Sequence, residues 1–469
     1  MICYGFRDVD SLRIRDQTHS VSLKLVKQNA RTELPTTTTV SLQDRARSAF
    51  FSNYVFEGSK SYDFLRPFYS SAGGDKALSA SLDAVSLAFF AHQENANSAV
   101  KHCRDRYRSA LSQVQHAISC PLAARKDSTL LATMLLDLYE KITNCNPEFD
   151  ELWKSHIRGS LALVELRGTK LFDDRNGFRM LVRLSTNLLI SCVATDTRLP
   201  DSLVALREYE SSYLDNKDPK WLLTDLMLSY VNLRQVISKG HLTDRDTIAS
   251  LLDLEADFAT VAVNSPNAWQ CRRVRLHCPT ERVLGDHMDV FLDHHITQTH
   301  NVGRLIRILL NEFLHDYSST PAGVGWAYKN KGLTLRIKAE TTINELVNKI
   351  CASVPQYTRP ELVQNRSLSP SSHVYTWSET GSQPSHARIR IYTATEKVRN
   401  YTLIFPMFVA AQSIAATDYQ KLWIISQLHF MASAMGLRNA EVVAKIMEAG
   451  VKINPWKVYA LLGSYAFAA

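Results

Sequence analysis

The strongest helical signal in the sequence lies at residues 128–142, which read STLLATMLLDLYEKI. Leu131, Leu135, Leu138 and Ile142 recur at spacings of four, three and four, so they share one face of a helix with 3.6 residues per turn. Ser128 stands before the first periodic residue, at the position of a helix N-cap. The stretch therefore predicts an amphipathic helix with one buried apolar face.

Comparable periodic segments occur along most of the chain. Gly and Pro number only 17 and 15 among 469 residues, which favours long helices over a turn-rich β protein. The sequence thus predicts an all-α fold, a large multi-helix domain. Further helices are expected at Lys76–His92, Asn97–Ile118, Glu148–Arg167, Phe178–Cys192, Lys220–Lys239, Asp244–Val263, His287–Asp316, Leu333–Ala352, Tyr401–Ala416, Asp418–Met435 and Asn439–Glu448.

Four segments differ in composition. Residues 1–44 form a basic, linker-like stretch, which fits either a solvated linker or a flank that contacts phosphates. Residues 45–354 hold the main helical part. Residues 355–396 are rich in Ser, Pro, Thr and Gln, which predicts a flexible, disordered insertion, although residues 388–392 alternate as a strand does. Residues 397–469 predict C-terminal helices that pack on the same domain.

Composition excludes several classes of protein. A hydrophobic share of 45% and a charged share of 21% are those of a folded chain, not of a disordered or fibrous one. The longest apolar runs, such as Leu403–Ala411, stop short of the roughly 20 residues that cross a bilayer, so no membrane partner is expected. The N-terminus lacks the apolar core of a signal peptide. Eight Cys without close pairs then predict small buried side chains in a reducing cytosol or nucleus.

Signatures of catalysis are missing from the sequence. It contains no glycine-rich phosphate loop and no Gly-x-Ser-x-Gly motif, so no enzyme, catalytic residue or cofactor is predicted. The richest set of metal-ligand types lies at the start of the predicted helix His287–Asp316, where Asp289 and Asp293 would share a face. Since no His-Glu-x-x-His arrangement accompanies them, polar contacts explain the set better than a metal ion. Its members are His287, Asp289, Asp293, His294, His295 and His300.

Two further arrangements have alternative interpretations. Trp153, His156 and Arg167 could line a small-molecule site, or Trp153 could be a core side chain with polar neighbours, and core packing is the better explanation. Cys271 and Cys278 have six residues between them, as in half of a binuclear zinc cluster. That cluster needs six thiolates and a Cys-x-x-Cys pair, which the sequence lacks, so the spacing is interpreted as a coincidence.

Three runs on the central helices resemble the middle of fungal-specific transcription factor regulatory domains. They are Leu135–Glu140, Trp153-x-x-His156-x-x-Gly159 and Leu163–Gly168. Other stretches match in the family's order, at residues 49–55, 199–201, 304–312, 403–410, 423–425 and 435–440, so that the resemblance covers about residues 45–450. The residues that carry the family motif, and would line any pocket, are Tyr139, Glu140, Trp153, His156, Gly159, Arg167 and Gly168.

The resemblance implies a nuclear regulator of RNA polymerase II transcription, with transcription-machinery proteins as partners. It allows a homodimer, a small-molecule effector and a role in secondary metabolism. Family members usually carry a binuclear zinc cluster that reads DNA, so zinc is expected here only if such a cluster precedes Met1. Without it, this chain should bind DNA weakly and without sequence preference. The alternative is a helical metabolite-binding protein or enzyme that shares the architecture.

Overall fold

Helices dominate the part of the chain that the computed structural model describes. The described residues are 40–56, 62–68, 74–93, 97–143, 150–168, 174–215, 217–276, 280–330, 334–364 and 392–462. Contacts divide the chain into residues 1–45 and a compact unit of residues 46–469. Among the described residues, a single two-stranded sheet accompanies the helices, so the prediction of an all-α fold is confirmed.

The first group of helices includes the helix that residues 128–142 predicted. It consists of α1 (Leu42–Phe51), α2 (Lys76–Gln93), α3 (Asn97–Ser119), α4 (Pro121–Ala124) and α5 (Asp127–Thr143). The predicted apolar face of α5 is buried, as expected, and packs against α2 and α3. The predicted N-cap is wrong, because Ser128 lies inside α5 and its hydroxyl donates a 2.6 Å hydrogen bond to the carboxylate of Asp75.

The second group contains one long core helix. Its members are α6 (Asp150–Arg167), α7 (Arg175–Thr195), α8 (Asp201–Ser211), α9 (Pro219–Ser238) and α10 (Asp244–Val263). Among the described residues, α7 is the helix that is long and apolar enough to span a membrane, and 72% of its most apolar window is buried inside the protein. Because α5, α6, α8 and α9 all pack on it, α7 has the surroundings of a core helix.

A β-hairpin interrupts the helices. Strands β1 (Arg272–Arg275) and β2 (His287–Val290) pair antiparallel, with Val274 opposite Met288. The sequence prediction of a helix from His287 is therefore wrong at its start, since α11 runs only from His294 to Asp316 and Asp293 is its N-cap. Helices α12 (Pro321–Lys329) and α13 (Leu335–Ser353) follow, and α13 packs against α11 and β2.

The predicted insertion begins with ordered structure. Two short helices, α14 (Pro355–Thr358) and α15 (Glu361–Gln364), lie within its bounds, and every residue of α14 is buried. Residues 365–391 lie outside the described part of the chain, as do residues 388–391 of the strand-like alternation.

The C-terminal helices are α16 (Ala394–Tyr401), α17 (Ile404–Gln412), α18 (Asp418–Met435), α19 (Arg438–Glu448) and α20 (Pro455–Leu462). The predicted single helix Tyr401–Ala416 is wrong: the chain breaks after Tyr401, and Pro406 lies in the first turn of α17, where its missing N–H costs no helical hydrogen bond. The eight residues Ile404–Ala411 are all buried, as expected of a helix that is apolar on every side. Helix α17 packs against α11 and α13, while α20 packs against α5, α7 and α17.

Candidate functional site

The first pair of predicted motif residues lies at the end of α5. Tyr139 is buried, and its ring stacks on that of Tyr107 from α3, with centroids 4.1 Å apart. The Tyr107 hydroxyl donates a hydrogen bond to the carboxylate of Glu140, which is also buried. Burial raises the pKa of both tyrosines above the usual value, so both hydroxyls stay protonated. These contacts attach α3 to α5.

The second group of motif residues lies on α6. Arg167 is buried and forms an ion pair with Asp127, at the start of α5. Gly168 ends α6 as predicted, because its φ of +74° is a left-handed conformation that suits glycine, and its N–H bonds to the Val164 carbonyl over 2.9 Å. Gly159 is exposed, with open space where a Cβ would be. Trp153 and His156 belong to the same helix, but their side chains lie outside the described part of the structure.

The two groups lie at opposite ends of α5. Asp127 and Tyr139 are 12 residues apart on one helix, which is about 18 Å at 1.5 Å per residue. The described side chains thus form two separate helix–helix contacts and do not line one common cavity. In these contacts Tyr139 and Glu140 pack against α3 and Arg167 forms an ion pair, while Gly168 ends α6.

A small cavity lies between α5, α6 and α7. It measures about 10 Å³ and is lined in part by Asp137, Ser160, Asn187 and Ser191. This volume is enough for about one water molecule, which needs two to four polar partners of this kind. Asp137 also accepts a 2.7 Å hydrogen bond from the ammonium group of Lys141, and both side chains are largely buried. The cavity suits a structural water and leaves no room for an organic effector.

A buried charge cluster that the sequence analysis missed joins α7, α8 and α9. We call it the α8 charge cluster. Its ion pair joins Arg207 Nη1 to Glu210 Oε2 over 3.1 Å, and neither side chain is more than 3% exposed. Ser185 donates to Glu210 over 2.9 Å, Arg207 donates to Thr224 over 2.9 Å, and the guanidinium carbon of Arg207 lies 3.6 Å from the centroid of the Trp221 ring. Burial raises the pKa of Glu210 to about 7, even though Arg207 opposes the shift.

The predicted set of metal-ligand types is dispersed by the hairpin. Asp289 lies on β2 and accepts a 3.0 Å hydrogen bond from Arg273, whereas Asp293 caps α11 and accepts from the His295 N–H. The expectation that Asp289 and Asp293 share a helical face is therefore wrong. Within the described residues, no three His, Cys, Asp or Glu side chains come close enough together to hold a metal ion.

The three histidines on α11 serve in packing. Burial lowers the pKa of His294 to about 3 and the pKa values of His295 and His300 to about 4, so all three rings are neutral at physiological pH. His300 Nε2 lies 3.0 Å from the carbonyl oxygen of Trp269, and His294 Nε2 lies 3.2 Å from the Thr402 hydroxyl. These contacts hold α11 against the neighbouring segments.

Cysteine burial follows the prediction in part. Cys103, Cys192 and Cys351 are buried, and burial raises the pKa of the last two thiols to about 12. Cys120 is exposed and Cys271 is half-buried, so the expectation of burial is wrong for these two. Cys3, Cys145 and Cys278 lie outside the described residues.

A wide surface groove lies between α18, the start of α19 and the loop after β1. Its volume is about 800 Å³. The Arg282 guanidinium carbon lies 3.9 Å from the centroid of the Phe430 ring at its floor, and His429 Nε2 contacts the carboxylate of Glu448 over 2.6 Å. Glu441 on its wall accepts a 2.6 Å hydrogen bond from Lys445. The groove therefore presents an aromatic floor with charged walls.

Comparison with known families finds one match. Residues 48–227 match the family model described as fungal specific transcription factor domain. No curated protein and no solved structure matches the chain. The match extends from α1 into α9 and includes the motif residues and the whole α8 charge cluster. The match confirms the resemblance to the family over residues 48–227, and no zinc cluster domain is detected. The resemblance of residues 228–450 stays a prediction.

Proposed function

We propose, from the premise that residues 48–227 form a fungal specific transcription factor domain, that the chain regulates RNA polymerase II transcription in the nucleus. It acts by binding proteins or a small effector and carries out no reaction. The observation that carries this proposal is the family match, which spans α1 to α9. The described polar side chains support it, because most of those singled out by the sequence cap a helix or join one element of the fold to another.

The state of the potentially reactive side chains favours a regulator over an enzyme. The α11 histidines are neutral and packed against neighbouring segments, and His300 contacts the Trp269 carbonyl. The Cys192 and Cys351 thiols are protonated, since burial holds their pKa values far above neutral pH, and a nucleophilic cysteine needs a thiolate. General acid–base catalysis also needs a group near a substrate cavity, and Glu210 is fully enclosed by the α8 charge cluster.

A tethering assay tests the proposed function. The full chain is fused to a heterologous DNA-binding domain in fungal cells, together with a fluorescent tag and a reporter gene downstream of the matching operator. We expect nuclear fluorescence and a several-fold change in reporter transcription, of either sign. A well-expressed nuclear fusion that leaves the reporter unchanged would contradict the proposal.

A second experiment examines DNA binding by the unfused chain. We propose that it binds duplex weakly and without sequence preference, with an affinity that falls steeply as salt rises. Fluorescence anisotropy with a panel of labelled duplexes measures this. Tight, sequence-selective binding would show that the chain contains its own DNA reader.

The groove at Phe430 favours a second candidate, a metabolite-binding protein. Its volume of about 800 Å³ lies within the usual range for ligand sites, roughly 300–1,000 Å³. Arg282 and Glu441 would supply charges of both signs at its walls. Thermal-shift screening of the full chain against metabolites, with F430A as the control variant, tests this candidate. This candidate requires a metabolite that raises the melting temperature of the wild type but not that of F430A.

A further inference from the structure

Helix α3 carries an exposed apolar stripe. Val100, Leu111 and Ile118 are spaced by eleven and seven residues, and Leu122 follows four residues later on α4. At 100° per residue, Val100, Leu111 and Ile118 fall within about 20° of one another around the helix. We call these four residues the α3 stripe. It extends about 27 Å from Val100 to Ile118, at 1.5 Å per residue.

The α3 stripe lies beside the packed side of its helix. Cys103, Ala110 and Val114 form the buried side, which packs on α2 and α5. By contrast, Val100, Leu111 and Ile118 are 38%, 42% and 43% exposed, and Leu122 is 82% exposed. Single exposed apolar residues are common on protein surfaces, but three in line on α3, with Leu122 beyond them on α4, form a surface that another helix can cover.

Positive charge accompanies the α3 stripe. Residues 97–126 hold six Lys or Arg and one Asp, a net charge of +5 in a chain whose net charge is +8. Lys101, Arg104 and Arg108 are exposed and lie on the side of the stripe that points away from the bundle. Arg108 lies 3.7 Å from Asp105, while Lys101 and Arg104 form no ion pair with the described residues.

We infer that the α3 stripe binds an acidic amphipathic helix of a partner protein, about 18 residues long. Apolar side chains of the partner would cover Leu111 and Ile118, and its carboxylates would face Arg104 and Arg108. This inference rests on the proposed function, because a regulator of this kind needs a protein partner. A second copy of the chain fits poorly, since two such helices would bring like charges together. A nucleic acid would use the arginines and leave the apolar residues uncovered.

The test measures binding of a fluorescein-labelled helical peptide to the full chain. The peptide is about 18 residues long, the number that covers the stripe, with Leu at positions i, i+4, i+7 and i+11 and Glu on both flanks. Two control peptides replace Leu by Ser or Glu by Gln. We expect saturable binding of the first peptide that weakens as salt rises, and at least tenfold weaker binding of each control peptide.

Two double variants locate the site on the chain. L111S/I118S removes apolar contacts and R104E/R108E reverses the charge, and each should weaken binding about tenfold or more. The control R272E/K452E makes the same change in net charge at exposed positions elsewhere and should leave the affinity within about twofold. Circular dichroism and thermal unfolding check the fold, and R104E/R108E keeps the test decisive if L111S/I118S unfolds.

Four results would overturn the inference. The first two are that the Leu–Glu peptide does not bind, or that the Ser-substituted peptide binds equally well. The third is that only duplex DNA binds and that only R104E/R108E weakens this binding. The fourth is that sedimentation shows a dimer, which L111S/I118S dissociates. The reporter assay separates this inference from the proposed function. A reporter response that L111S/I118S leaves intact keeps the proposed function and removes the α3 stripe from it.

Discussion

The α8 charge cluster makes the stability of the protein depend on pH in an unusual direction. Because burial raises the pKa of Glu210 from 4.5 to about 7, the folded state holds this proton more tightly than the unfolded chain does. The stabilisation that Glu210 contributes is therefore fully present below pH 4.5 and is lost as the pH rises to about 7. Most exposed carboxylates that form ion pairs behave in the opposite way.

The size of the effect follows from the displacement of this pKa. A rise from 4.5 to about 7, at about 1.4 kcal/mol per pH unit, corresponds to roughly 3 kcal/mol in the free energy of unfolding. The substitution E210Q keeps the shape of the side chain and its hydrogen bond from Ser185, but it cannot ionise. Relative to E210Q, the wild type should therefore lose about 2–3 kcal/mol of stability between pH 5 and pH 8.

Urea unfolding of both proteins at several pH values measures this difference. The comparison between the two proteins cancels the other titrating groups, which they share. E340Q is the matched control, because Glu340 is half-exposed beside Arg336 and that contact lowers its pKa. In the control comparison, the wild type should gain slightly relative to the variant as the pH rises through the acidic range. A wild-type-minus-E210Q difference that stays constant, or that rises with pH, would refute the argument.

Two further predictions concern packing and acid stability. A Cβ at Gly323 would lie 2.2 Å from the Tyr317 carbonyl oxygen, so G323A should lower the melting temperature by several degrees. The control G325A, with open space around its Cβ, should leave the melting temperature unchanged or raise it slightly. Equal melting temperatures of the two variants would contradict this prediction. Burial lowers the pKa of His300 from 6.5 to about 4, so the stabilisation contributed by the neutral ring is present above pH 6.5 and is lost as the pH falls towards 4. Over that range, the free energy of unfolding measured in urea should fall by of order 3 kcal/mol less in H300Q than in the wild type. The same loss of stability in both proteins on acidification would exclude the assigned role.

Sequence periodicity was sufficient where a segment's structure depends on its own residues. The α5 face, the end of α6 at Gly168 and the burial of Ile404–Ala411 are all local patterns of apolar side chains or glycine. The hairpin was beyond this reasoning, since His287–Val290 forms a strand only because Arg272–Arg275 pairs with it. The break between α16 and α17 also depends on packing, because Thr402 and Leu403, which lie between the two helices, are buried.

The candidate site illustrates what only tertiary structure decides. Arg207 and Glu210 are three residues apart on one helix, and Arg198 and Asp201 have the same spacing at its start. In the sequence the two pairs look alike, yet the first is buried by α7 and α9 while the second is exposed to solvent. A charge's surroundings are set by the helices that pack against it. The local sequence pattern therefore determined the helices and the family, and packing determined which charges became part of the core.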